Sequence, residues 1–275
     1  MPSFRVRKVF FLNLAGWKTL SRYVGLAIVA TGSCGTAGAQ NPARAVYHET
    51  FVSPDIKSHQ GYAWDGTNHY TFDNQTIYKW RDDQNWTSVR SNGTALAGLT
   101  GINHLGDGDY FEGKIYIVAE AWASCTNFAF QSILVFDAGT LDRREAHDVS
   151  AQRHEVSGLA VSPLEGLDGI IYVTSYCDGS KIFKYDLRTF DYLGTVPLMQ
   201  SLNFLQGVAW HNGRFYVPED GGSLYSFGID GRVSLLYQDS HSGSHEGLKY
   251  VGTGFRWLID EGRGKQCIHY VSPLP

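Results

Sequence analysis

The stretch Phe204-Leu-Gln-Gly-Val-Ala-Trp210, with Arg214-Phe-Tyr-Val217, Leu224-Tyr-Ser-Phe227 and Val233-Ser-Leu-Leu-Tyr237 behind it, decides how the chain is read. Each piece is a short run of aliphatic, β-branched and aromatic residues bounded by turn-forming residues, which is the pattern of a strand. The same order recurs along the chain. The first pieces of the other units are His59-Gln-Gly-Tyr-Ala-Trp64, Thr100-Gly-Ile-Asn-His-Leu105, Val156-Ser-Gly-Leu-Ala-Val161 and His245-Glu-Gly-Leu-Lys-Tyr250. Their glycines, Gly61, Gly101, Gly158, Gly207 and Gly247, are 40, 57, 49 and 40 residues apart. A four-stranded unit at this period is the signature of a β-propeller blade. The fifth unit ends after three strands, and Ala45-Val-Tyr-His-Glu-Thr-Phe-Val52 is a strand with no partner before the first unit. The expectation is an all-β chain with a single five-bladed β-propeller over residues 40–275, closed by that N-terminal strand.

Composition agrees. The chain has 275 residues, 31 Gly, 8 Pro, 14% aromatic and 18% charged residues. That is too aromatic and too weakly charged for a disordered chain. The net charge of −4 argues against a nucleic-acid partner, which calls for a basic stripe.

Residues 1–39 read as a signal peptide. Arg5, Arg7, Lys8, Lys18 and Arg22 precede the apolar run Tyr23–Ala30, and Ala37-Gly-Ala39 supplies small residues for cleavage. The apolar run is too short to span a bilayer. Cleavage after Ala39 leaves 18 basic against 27 acidic residues, a net charge of −9. The expectation is a secreted or periplasmic monomer, bound to neither membrane nor nucleic acid, acting on a small molecule. Export makes disulfides permissible. Cys125 and Cys177 fall in equivalent loops of neighbouring units, where a bridge would tie two long loops together. Two free thiols are the alternative.

Loops entering the innermost strands emerge on one face of a propeller. The residue before each repeat glycine lies there: Gln60, Thr100, Ser157, Gln206 and Glu246. His59, His154 and His245 stand beside these positions, and a His next to a carboxylate suits general base catalysis. They are the candidate catalytic residues. Gln60, Gln206, Tyr176, Trp122 and Glu155 are candidate substrate contacts. Carboxylates with amide oxygens around a channel also suit Ca²⁺ or another hard cation, and His with carboxylate suits Zn²⁺. Asp107-Gly-Asp109 reads as a hairpin turn, and His69, His211 and His269 as solvent-facing. No G-x-S-x-G elbow, P-loop or H-E-x-x-H is present.

The Q-G units, Phe204–Trp210 and His59–Trp64, resemble the signature of the glutamine cyclotransferase family, which is five-bladed. His154-Glu-Val-Ser-Gly-Leu-Ala160 and His245-Glu-Gly-Leu248 resemble units of the gluconolactonase-like, phytase-esterase-like and SdiA-regulated propellers. The second resemblance implies a metal-assisted lactonase or esterase holding a divalent cation, Ca²⁺ foremost, through Glu246 and Asn103. The first implies a glutaminyl-cyclase-like transferase. A non-catalytic sugar- or protein-binding propeller is the third expectation.

Overall fold

The structure, a computed structural model, describes residues 46–53, 60–83, 86–125, 129–163, 169–239, 243–252, 254–262 and 265–272. Of residues 46–53 and 261–272 only the backbone is considered. Short strands alternate with tight turns throughout. Two of the turns show why. Glu112-Gly113 and Asn212-Gly213 both hold positive φ at both positions (47° and 78°, 48° and 74°). That is the two-residue hairpin geometry whose twist matches the flanking strands.

The strands form five four-stranded antiparallel sheets. β1 (Val46–Ser53) comes first and stands apart from the strands that follow it. β2 (Gly61–Trp64), β3 (Asn68–Phe72), β4 (Ile77–Arg81) and β5 (Ser88–Asn92) make one sheet in chain order. β6 (His104–Phe111), β7 (Lys114–Glu120), β8 (Gln131–Asp137) and β9 (Arg143–Asp148) make the next. A single 3₁₀ turn, Ser150–Gln152, leads to β10 (Leu159–Ser162), β11 (Ile170–Val173), β12 (Gly179–Asp186) and β13 (Tyr192–Leu202). β14 (Ala209–His211), β15 (Arg214–Pro218), β16 (Ser223–Gly228) and β17 (Ser234–Gln238) follow. These four sheets are blades of consecutive strands. The remaining sheet is composite: β18 (Ser244–Tyr250), β19 (Phe255–Gly262) and β20 (Lys265–Ser272) are completed by β1, which pairs antiparallel with β20.

The innermost strands touch in the circular order β2, β6, β10, β14, β18 and back to β2. Five apolar clusters fill the gaps between neighbouring sheets. Tyr70, Phe72, Ile117 and Phe136 belong to one, and Tyr172, Phe215 and Phe227 to another. Tyr62, Trp80 and Leu258 lie in the cluster between the composite sheet and the first blade. Burial of these rings is what holds sheet to sheet, at about 25 cal/mol per Å² of apolar surface removed from water.

The second unit departs from the expected repeat. Its inner strand starts at His104, so Gly101, in a turn at φ 80°, is not its axial glycine. A bulge between Leu105 and Gly108 adds a residue to β6, and Asp107-Gly-Asp109 lies inside that strand rather than in a hairpin turn. Asp107 is buried on the axis, where its Oδ1 accepts from the Tyr62 backbone N–H at 2.9 Å and its Oδ2 from Lys249 Nζ at 2.6 Å. Lys249 also donates to the carbonyls of Leu159, Val208 and Leu248, at 3.1, 2.7 and 2.9 Å. One carboxylate and one ammonium thus reach all five units. Glycine is required around them: a Cβ on Gly247 would lie 2.4 Å from both Asp107 Oδ1 and Tyr62 N.

Candidate functional site at the channel mouth

The inner strands all run from one mouth of the axial channel to the other. At the mouth where they begin lies a cavity of about 210 Å³, lined among others by Gln60, Glu155, Ser157, Gln206 and Glu246. Trp122 and Tyr176 form its aromatic wall, meeting edge to face at 5.9 Å between ring centres. Four carboxyl groups line it, Glu120, Glu155, Asp220 and Glu246, and among its described lining residues there is no Lys or Arg.

These carboxyls differ in their surroundings. Glu155 is buried, which raises its pKa, but Ser175 Oγ (2.6 Å) and the backbone N–H groups of Tyr176 (3.0 Å) and Cys177 (3.1 Å) donate to it and favour its charged form. Glu120 is buried with the Glu155 charge nearby, and the two effects push it up to about 9. It is therefore a neutral acid at pH 7. Glu246 is raised well above the ordinary carboxylate range, by burial first and then by Asp220, Asp260 and Asp107. Gln206 Nε2 lies 3.5 Å from Glu246 Oε1, while the buried Oε2 has no hydrogen-bond partner among the described residues. Asp220 accepts from Ser244 Oγ at 2.5 Å and from the Tyr176 hydroxyl at 3.4 Å. An unsatisfied buried carboxyl oxygen costs free energy unless a ligand pairs with it.

Of the residues expected at the site, Gln60, Gln206, Trp122, Tyr176, Glu155 and Glu246 come together here. His245 does not. On β18, Ser244 and Glu246 face the cavity, and His245 points to the other side. There Nε2 meets Asp239 Oδ2 at 2.9 Å, and Nδ1 meets the Gly243 and Asp220 carbonyls at 3.0 and 3.1 Å. His154 also stays outside the cavity, 3.4 Å from Asp178 and packed on Phe183. His59 lies outside the described residues. Asn103 is not joined to Glu246: its amide clamps the backbone of Trp122, accepting from N–H at 2.9 Å and donating to C=O at 3.2 Å. Among the described residues, no group of three or more His, Cys, Asp and Glu is placed to hold a metal ion.

Cys125 and Cys177 are joined by a disulfide. It ties the loop carrying Trp122 to the loop carrying Tyr176, so the aromatic wall is a cross-linked unit. His69, expected in solvent, is fully buried between Tyr62 and Trp86 with Asp82 at 3.0 Å. Glu120 also lines the cavity; its sequence signal is its place at the end of a second strand, on the same rim as other acidic residues, and that place alone gives it no role.

No family model matches the chain, and no curated protein matches it. Solved structures do. The crystal structure of Myxococcus xanthus glutaminyl cyclase is 12% identical, covers 86% of this chain and 100% of its own, and superposes with a TM-score of 0.59. This chain is an all-β propeller. An exo-β-1,3-galactanase from Phanerochaete chrysosporium, solved with galactose, is 14% identical with a TM-score of 0.55, over 78% of this chain and 60% of its own. A gluconolactonase from Xanthomonas campestris is 14% identical with a TM-score of 0.49, over 74% and 68%. At these identities the likeness is one of fold.

Proposed function

We propose that the cavity beside Glu246 is an acid–base site for acyl transfer on a small polar substrate bearing an amine, with cyclisation of an N-terminal glutaminyl residue as the reaction. The observation that carries the reading is Glu246 itself, a carboxyl buried at the cavity with one oxygen that has no hydrogen-bond partner among the described residues, where burial and neighbouring carboxylates raise its pKa well above the ordinary range. In this reaction the α-nitrogen bonds to the side-chain amide carbon and the C–NH₂ bond breaks. One proton passes from the attacking nitrogen to the departing one, and the products are a lactam and ammonia. A carboxyl of raised pKa suits that transfer, because general acid–base catalysis is most efficient when the catalytic group's pKa is moved from the ordinary carboxylate range towards the working pH. Gln206 orients it, Glu155 and Asp220 accept hydrogen bonds from the amine, and Trp122 with Tyr176 walls off water. The charge of the pocket supports the choice. A lactone or ester hydrolase must release a carboxylate, and here it would do so among four carboxyl groups, with His104 the one basic side chain and no Lys or Arg among the described lining residues. Hydrolysis is the second reading, favoured by neutral Glu120 as a proton donor to a leaving alcohol.

The composite sheet is read as the fifth blade, with β1 closing the ring. Export is part of the same reading, from the leader over residues 1–39 and a Cys125–Cys177 bridge suited to an oxidising compartment. The test is to offer the purified, oxidised protein N-terminal glutaminyl peptides and, separately, lactones and esters, each with added Ca²⁺ and with chelator. Ammonia released from the glutaminyl peptides in both conditions is the expected result. Turnover confined to lactones or esters, or turnover that needs Ca²⁺, overturns the reading.

A further inference from the structure

The Asp107–Lys249 pair fills the axis between the two mouths of the channel, and the far mouth has a cavity of its own, about 370 Å³ in volume. It is built where the inner strands end. Trp64 comes from β2, Tyr110 from β6, Trp210 from β14 and Tyr250 from β18. Trp64 and Trp210 each pack one side against an apolar cluster between sheets. The structure leaves all four rings half-buried around this cavity. Large aromatic rings gathered in a concavity and left partly in water are the informative exception to burial.

Each ring is braced from behind. Trp64 carries the Arg256 guanidinium 5.5 Å from its ring centre, and its Nε1 donates to Asp82 at 3.3 Å. Trp210 packs on Phe215 at 4.5 Å and Tyr172 at 5.1 Å, Tyr110 stacks with Tyr70 at 6.4 Å, and Tyr250 stacks on His211 at 3.5 Å. A ligand meeting these rings would not have to order them first.

The polar groups of the cup decide what it takes. Lys249 lies at its floor, but the three protons of Nζ already face four acceptors. It therefore offers no donor to an anion, and its charge is balanced by Asp107. Asp65 is engaged by Thr67 N–H, by the backbone and side-chain N–H groups of Asn68 and by the Tyr70 hydroxyl. Asp109 differs: Oδ1 accepts from Tyr110 N–H and Oδ2 from Val161 N–H, both at 2.9 Å, so each oxygen has room for a second donor. The cup offers aromatic faces, spare acceptors and no uncommitted cation. An uncharged molecule with an apolar face and hydroxyl donors fits that combination.

We infer that the cup at the far mouth is a second binding site, for an uncharged sugar ring, with Trp64, Trp210 and Tyr250 as stacking surfaces and Asp109 as the acceptor of its hydroxyls. The site is separate from the one beside Glu246 and does not depend on what that one does. The test is a titration of intrinsic tryptophan fluorescence with methyl glycosides and short neutral oligosaccharides, with tetramethylammonium chloride as the cationic probe. At least one saccharide is expected to give a saturable change, weakened on the order of tenfold or more by Trp210→Ala. Asp109→Asn, which keeps shape and removes charge, is expected to weaken binding in a folded protein, and Glu246→Gln to leave it unchanged. If Trp210→Ala does not fold, Asp109→Asn alone decides the matter. The inference is overturned if no saccharide titrates, if only tetramethylammonium does, or if folded Asp109→Asn binds as the wild type does.

Discussion

Lys249 Nζ and Asp107 Oδ2 are 2.6 Å apart on the axis of the molecule, although 142 residues separate them in the chain. The pair is buried, and between them the two side chains bond to backbone atoms of all the other inner-strand units. Burying an ion pair repays its desolvation only when the remaining hydrogen-bonding positions are filled, as they are here. Lys249→Met leaves Asp107 buried without its partner and exposes three carbonyls to an apolar neighbour. Its expected cost is about 3–5 kcal/mol, read as a lower midpoint in urea. In the double variant with Asp107→Asn the losses are expected to be less than additive. Additive losses would mean that the pair is not coupled.

Gly247→Ala tests the same hub through the backbone. The new Cβ would meet Asp107 Oδ1 and Tyr62 N at 2.4 Å, and one of the two is backbone that cannot turn aside. The variant is expected to lose about 3 kcal/mol or more, above the usual range for a point change. Gly113→Ala makes a suitable control, because a Cβ there meets nothing within 4 Å and only its φ of 78° opposes it.

Glu120 gives a pH dependence with a definite sign. Its pKa is raised on folding, from 4.5 to about 9. The folded state therefore holds a proton that the unfolded chain releases, and the stability tied to it is complete below about pH 4.5. It is lost as pH rises towards about 9, at up to about 1.4 kcal/mol per pH unit. Denaturation at pH 5 and pH 8 is expected to show Glu120→Gln gaining on the wild type at the higher pH. Equal stability differences at both values would contradict the assignment.

The disulfide closes a sequence separation of 52 residues. Cys125→Ser with Cys177→Ser is expected to cost about 2–4 kcal/mol, and to loosen the wall made by Trp122 and Tyr176. A drop in melting temperature without any change in ligand affinity would show that the bridge braces the fold and not the site.

The strand-and-turn pattern carried the architecture, because blades repeat one physical problem: strands converging on an axis need glycine, and their outer faces need aromatics. The rule that the residue before the axial glycine faces the mouth placed Gln60, Ser157, Gln206 and Glu246 in one cavity. It failed at Thr100, where the bulge in β6 moves the axial position to the Gly106–Asp107 segment. His245 lies away from its expected place for a related reason. Neighbours on a strand face opposite sides, so a His beside a cavity carboxylate points away from the cavity. The hub was invisible because Asp107 and Lys249 lie in different units, and an Asp-Gly-Asp run looks like a turn until its partner cation is known.

The most direct test of the account is the protonation state of Glu246. Glutamate ¹³C-carboxyl resonances are followed by NMR as a function of pH, and the Glu246 signal is assigned by its loss in Glu246→Gln. The account predicts that this carboxyl titrates well above the ordinary carboxylate range. A Glu246 signal that titrates near the ordinary value of 4.5 would contradict it.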